Sequence, residues 1–270
     1  MNWLGDYHVH TTFCDGKAEA GDLAAQAAAL GLTTLGFSGH AYTDFDESWC
    51  MSRAGTLAYL EALRRLKRLY AGQLEILIGT ELDYFSPPPE GAYDYTIGSC
   101  HYVAANGEYL SVDESAGQLW QNVEHHFSGD FLSFARKYYE QMADMQQKTG
   151  CTFIGHFDLL TKFNEGEQFF AEDRAYLSLA FDAADALCAQ DAVFEINTGA
   201  MRRGYRSVPY PSLPILKRIF ENGARIILCS DCHDLHGLCY GFEDAAALAR
   251  HAGFRSRCVL TAAGLQEVAL

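Results

Sequence analysis

Residues 5–41 read GDYHVHTTFCDGKAEAGDLAAQAAALGLTTLGFSGHA, and one unit of a repeating pattern is visible in them. GDYHV is a short β-rich run. The alanine-rich AEAGDLAAQAAAL behind it has strong helix propensity and is closed by Gly31. TTLGFS then returns to a strand. Outward from there the alternation continues. A helix is expected from Gly55 to Tyr70, where Leu57, Leu60, Leu63 and Leu66 fall at three-residue steps. LEILIG and YDYTIGS are strands, and residues 115–148 read as helix, broken near Ser128–Gly129. TFIG, a helix from Phe170 to Ala189, AVFEI, the helix SLPILKRIFENG, ARIILC, the helix EDAAALARHAG and a last strand, SRCVL, complete the chain.

These are about seven β-then-α units without a Pro/Gly/Ser-rich linker or internal repeat, so residues 1–270 are expected to form one domain. Buried apolar runs alternating with helices indicate a parallel sheet. Seven such units point to a closed or nearly closed barrel. Periodicity leaves an open doubly wound sheet as the alternative.

Composition narrows the class. Apolar residues make up 49% of the 270, enough for a large core, yet no run approaches the ~18 apolar residues of a membrane span. The start, MNWLGDYHVH, lacks the basic and apolar regions of a secretory signal. Nine scattered cysteines fit reduced thiols in a cytosol better than a disulfide framework. The formal charge is 20 − 35 = −15, which disfavours binding to a nucleic-acid backbone. A phosphorylated substrate must therefore meet local positive charge, from bound metals or a few arginines.

The strand ends carry the chemistry. The first runs into His8-Val9-His10, with Asp15 beyond; the second ends at His40, the third at Glu81 and the fourth at His101. The fifth ends at His156, the sixth at Glu195 and Asn197, the seventh at Asp231 and His233. In a parallel barrel these ends share the face where active sites form. The two-residue spacing of His8/His10 and Asp231/His233 aims each pair one way. A single buried histidine is ordinarily a satisfied core residue. Seven strand ends all bearing His, Asp or Glu are a metal constellation, of a kind that suits zinc, manganese or iron. Cys14 and Cys100 adjoin it as packing residues, and the Cys229-x-x-Cys232 spacing is better explained by Asp231 as a ligand than by redox chemistry.

HVHTTFCDG, GFSGHA, the Glu of GTELDYF, GSCHYV, GHFDL and SDCHD together resemble the PHP (polymerase and histidinol phosphatase) superfamily, in its histidinol-phosphatase branch. The resemblance runs from about Tyr7 to Asp234. It implies an α/β fold, a distorted (β/α)7 TIM-like barrel, with two or three divalent ions. It assigns His8, His10, Glu81 and Asp231 to one ion; Glu81, His101 and His156 to a second, with Glu81 as bridge; and Asp15, His40 and His233 to a third. Many members have histidine one position after Asp15, where this chain has Gly16.

Clustered metals suit phosphate-monoester hydrolysis, a reaction needing accelerations of up to ~10²¹. The loop GAMRRGYRSVPYP resembles one that begins small-Leu-Arg-Lys in the family. Arg202 is thus expected to grip the phosphate, with Arg203 beside it and Lys162, in the GHxDLxxKF pattern, as a second clamp. Asp158, Asp234 and His236 are candidates for the general acid, and Glu195 and Asn197 for contacts to the rest of the substrate. The expected substrate is L-histidinol phosphate, hydrolysed in cytosolic histidine synthesis. The alternatives are another phosphoester (nucleotide, oligonucleotide or phosphotyrosine) and a non-catalytic PHP module. Oligomeric state has no signature in the sequence.

Overall fold

The computed structural model describes residues 3–270; Met1 and Asn2 of the N-terminal stretch read above lie outside the described residues. The chain opens with β1 (Gly5–Asp6), α1 (Ala20–Ala29), β2 (Thr34–Phe37) and α2 (Arg53–Leu69). Gly31 adopts φ 76° just past α1, the left-handed stop that glycine supplies at least cost. Ser52 begins α2 by accepting the Gly55 amide at 3.0 Å. β3 (Glu75–Asp83) and β4 (Tyr95–Ser99) follow, then an antiparallel hairpin of β5 (Tyr102–Ala105) and β6 (Glu108–Ser111) that the sequence reading did not include. Its turn is Asn106-Gly107, both at positive φ, the residue pair that favours a two-residue hairpin connection.

Helices α3 (Ala116–Phe127) and α4 (Phe131–Thr149) part at left-handed Ser128 and Gly129, where the break was expected. Next come β7 (Phe153–Ile154), α5 (Arg174–Cys188), β8 (Val193–Asn197), a four-residue helix α6 (Gly199–Arg202), α7 (Leu213–Glu221), β9 (Arg225–Cys229), α8 (Phe242–Ala252), and an antiparallel pair, β10 (Ser256–Thr261) and β11 (Gly264–Ala269).

The main sheet has the order β1-β2-β3-β4-β7-β8-β9-β10-β11, and all its pairings are parallel except β10–β11. Its first seven strands curl into a distorted (β/α)7 barrel. Closure happens beyond the regular strands: His10 N donates to the Cys232 carbonyl at 2.8 Å and Cys232 N to the His8 carbonyl at 2.9 Å. Asp6, fully buried, locks the same seam by accepting the amides of Ser230 at 3.0 Å and Cys239 at 2.9 Å. The open-sheet alternative is thereby set aside.

The lower barrel is filled. Tyr7, Leu77, Tyr95, Ile97, Phe153, Val193 and Ile227 pack there with residues of β10. The Tyr95 hydroxyl donates to the carbonyls of Tyr7 at 2.6 Å and Phe37 at 3.0 Å. Gly36 and Gly79 leave room for that ring, which a Cβ at either position would strike. With the bottom plugged, the polar side chains gather at the carboxyl ends of the strands. Outside, α4, α5, α7 and α8 cover one part of the sheet, and α1 and α2 another.

Candidate metal centre

Glu81, near the end of β3 and 1% exposed, is the hub. Its carboxylate oxygens lie 3.2 Å from His8 Nε2, 3.5 Å from His10 Nε2, 2.8 Å from His40 Nδ1, 3.5 Å from His101 Nε2 and 3.0 Å from His156 Nε2. Those five imidazoles come from the ends of β1, β2, β4 and β7. Asp231 Oδ1 is 3.7 Å from His8 Nε2 and 3.4 Å from His10 Nε2. Asp15 lies 3.5 Å from His40 Nε2 and 3.1 Å from His233 Nε2. All nine side chains expected as ligands are brought together. Their donor atoms form overlapping groups within 4.8 Å: His10, Asp15, His40 and His233; His8, Glu81 and His156; His8, His10 and Asp231; His40, Glu81 and His101.

The donor set fits divalent metal ions on an independent observation. His8 Nε2, His10 Nε2, His40 Nδ1 and Glu81 Oε2 are buried and have no hydrogen-bond partner. Each unsatisfied buried polar atom costs about 1–3 kcal/mol. Coordination answers several at once.

Electrostatics favour the ligand forms of several groups. Burial, reinforced by neighbouring His233 and His40, pushes His10 down to about 3, so its imidazole is neutral. Burial works to protonate Glu81, but His8, His40 and His101 outweigh it and hold the carboxyl well below its usual range. At Asp231 burial is likewise overcome, chiefly by Arg203 and His8.

A second tier orients the first. Glu195 Oε1 is 2.6 Å from His8 Nδ1, while its Oε2 accepts the His156 amide at 2.7 Å and Asn197 Nδ2 at 2.9 Å. Asn197 in turn accepts the Gly199 amide at 2.8 Å. Neither residue lines the cavity above the cluster, so their expected contact with substrate gives way to a supporting position beneath His8. Asp83, unremarked in the sequence reading, does the same for His101: it accepts that amide at 2.8 Å and lies 3.3 Å from Nδ1.

The cluster forms the floor of a cavity of about 490 Å³. Arg203 and Lys162 line it; Arg202 does not. The Arg203 guanidinium contacts Asp231 at 2.9 Å and His233 Nδ1 at 3.1 Å. Arg202 instead pairs with Asp234 at 3.1 Å and lies 5.7 Å over the Tyr240 ring. Of the two arginines it is thus Arg203, just past the end of α6, that reaches the cavity, because successive helical residues face directions about 100° apart. Lys162 Nζ reaches the Asp113 carbonyl at 2.8 Å and its carboxylate at 3.1 Å.

The three candidates for the general acid fare differently. Asp158 is buried away from the cavity, accepts the Ser212 amide at 2.9 Å, and has its carboxyl lifted to about 6 by burial. His236 is exposed and does not line the cavity. Asp234 lines it, but despite partial desolvation the His236 amide and Arg202 hold its carboxyl below the usual range. An ionised carboxylate is a poor proton donor at neutral pH. Asp46, Trp49, Tyr102, Asp113 and Glu114 also line the cavity and were absent from the sequence-based set. Of these, Tyr102 directly follows His101, whereas Trp49 comes nine residues after His40 in the loop before α2; only Tyr102 adjoins a ligand position in the sequence.

Residues 6–199 match the PHP domain family. The chain is 29% identical over 213 residues to a Schizosaccharomyces pombe protein named "Probable histidinol-phosphatase", covering 75% of this chain and 68% of that one. A Deinococcus radiodurans protein of the same name is 27% identical over 272 residues, covering 95% and 96%. Among solved structures, histidinol phosphate phosphatase from Lactococcus lactis, complexed with zinc, L-histidinol and phosphate, superposes with a TM-score of 0.69 at 18% identity, covering 97% of this chain and 98% of that one. At that identity the likeness bears on the fold.

Proposed function

The chain belongs to the PHP domain family, and on that premise we propose that it is a metal-dependent phosphatase hydrolysing L-histidinol phosphate to L-histidinol and phosphate in histidine synthesis. The observation that carries the reading is Glu81 among five histidines, on the floor of a cavity also lined by Arg203 and Lys162. The names of the Schizosaccharomyces and Deinococcus relatives support the substrate. Residues 1–270 work as one catalytic unit in the cytosol on a small phosphorylated metabolite. No helix among the described residues is long and apolar enough to cross a membrane.

The site would hold two or three ions of zinc, manganese or iron: His8, His10, Glu81 and Asp231 would hold one, Glu81, His101 and His156 a second, and Asp15, His40 and His233 a third. When bound, the ions supply Lewis-acid charge to the phosphoryl oxygens and bring the pKa of water towards neutrality. The chain's own residues do the rest. Glu195 and Asp83 hold His8 and His101 in orientation, and Glu81 balances the positive charge of the cluster. Arg203 offers a planar fork for the phosphate oxygens. Arg203→Ala is expected to lower kcat/KM at least about tenfold, the loss of one charge-assisted hydrogen bond, and Arg202→Ala by clearly less. Steady-state kinetics on both variants check the order; an equal or reversed effect would return the clamp to Arg202.

The test of function is a side-by-side assay on histidinol phosphate and p-nitrophenyl phosphate. A site built to pair a substrate's polar groups discriminates against one lacking them, so a preference of about a hundredfold or more is expected. Equal rates, or a preference for nucleotide ends, would remove histidinol phosphate as the substrate.

A further inference from the structure

One wall of the cavity comes from the loop joining β2 to α2 and from β5. Trp49 sets its indole edge-to-face on His40, with ring centroids 4.5 Å apart, and lies 5.2 Å from the His101 ring. Its Nε1 donates to the Tyr102 hydroxyl at 2.7 Å, and that hydroxyl donates to Asp46 Oδ2 at 2.7 Å. Asp46 Oδ1 accepts the Ser48 amide at 3.0 Å and the Ser48 hydroxyl at 2.6 Å. The loop is pinned in place: Phe45 packs 4.9 Å from the Tyr102 ring and 4.2 Å from Tyr109, and the Thr43 hydroxyl donates to the Asp46 carbonyl at 2.6 Å. The wall is therefore preformed.

Its charge is unbalanced. Three other acids of the cavity each have a cation: Asp113 has Lys162 at 3.1 Å, Asp231 has Arg203 at 2.9 Å and Asp234 has Arg202 at 3.1 Å. All the partners of Asp46 just named are neutral. A carboxylate on the cavity wall beside the half-buried Trp49 indole, with neutral donors only, is a receptor for a cation: the charge attracts it and the indole adds a cation–π contribution. The same wall repels further phosphates.

We infer that Asp46, Tyr102 and Trp49 recognise the leaving group, selecting phosphomonoesters whose alcohol carries a cationic amine or imidazolium. This rests on the phosphatase reading above and assigns its specificity to a particular wall. Asp46 and Tyr102 act by holding substrate; no bond is made or broken on them.

Asp46→Asn keeps the shape and removes the charge. With metal-loaded enzyme, the ratio of kcat/KM for histidinol phosphate to that for p-nitrophenyl phosphate is expected to fall at least about tenfold, carried mainly by KM. Product inhibition by L-histidinol is expected to weaken in parallel, while inhibition by inorganic phosphate moves by less than about twofold, since the charge lost is not at the phosphate end. Tyr102→Phe, which deletes the hydroxyl linking Trp49 to Asp46, is expected to lower the same ratio by a smaller factor. Thermal melts check that both variants fold; a melting midpoint close to that of wild type is expected. An unchanged ratio, or equal slowing on both substrates, overturns the inference. O-phosphoethanolamine separates it from the parent reading. If wild type shows no preference for histidinol phosphate but Asp46→Asn still depresses phosphoethanolamine relative to p-nitrophenyl phosphate, cation selection by this wall stands and the histidinol reading falls. If neither effect is seen, both fall.

Discussion

Glu81→Gln is expected to abolish useful activity while preserving the size of the side chain. The glutamate faces five imidazoles at 2.8 to 3.5 Å, and no other acid in the cluster touches so many. Glutamine replaces one oxygen by an NH₂ group, whose hydrogens would point at nitrogen lone pairs needed for metal. It also removes a negative charge from the centre of a divalent site. Outer-shell partners of metal ligands already contribute 10–100-fold, so losing the shared inner carboxylate is expected to lower kcat/KM by at least about a thousandfold. That corresponds to roughly 4 kcal/mol of lost transition-state stabilisation. Kinetics paired with elemental analysis check it: bound metal and rate should fall together. A variant within about tenfold of wild type would take Glu81 out of the centre.

Removing the metal is the second large effect. Chelation followed by desalting is expected to leave less than about one per cent of the rate, restored by manganese, zinc or ferrous ion, because on the proposed reading the metals supply the activated water and the charge for the phosphoryl oxygens. Stability is expected to move as well. At a metal concentration a hundred times Kd, one bound ion stabilises the fold by about 2.7 kcal/mol, or roughly 5–10 °C in the melting midpoint of a chain this size. The physical source is the buried atoms of His8, His10, His40 and Glu81 that crowd one another at 2.8 to 3.5 Å without making a hydrogen bond. An identical melt with and without metal would mean that those atoms are satisfied in some other way.

What the sequence made legible follows from range. Barrel strands and their helices have periodicities that a window of ten residues contains, and the strand-end histidines and acids inherit their positions from the strands. Hence the nine expected ligands converge. The hairpin at Tyr102–Ser111 has only four residues on each arm, too few to stand out beside a following helical stretch, although Asn106-Gly107 is its signal. β11 has six residues, but GLQEVA has no buried residue and includes Gly, Glu and Ala, which are depleted in strands, so it has little strand signal. Arg202 and Arg203 are neighbours on a single helical turn, and one turn carries no amphipathic phase from which to say which of them faces inward. Glu195 was legible as a strand-end acid but not as the partner of His8, 187 residues away, because that pairing exists only once the barrel is closed. Asp46, Trp49 and Asp113 sit in connections whose course depends on long-range contacts, such as Trp49 with Tyr102 and Asp113 with Lys162.

The central claim is that a metal cluster centred on Glu81 hydrolyses histidinol phosphate. It is tested most directly by titrating metal-stripped protein with zinc or manganese and following phosphate release from histidinol phosphate, with bound metal measured at each point. The account predicts a rate near zero at the start and a plateau at two or three equivalents per chain. Full activity without metal, or a plateau at one equivalent or fewer, would contradict it.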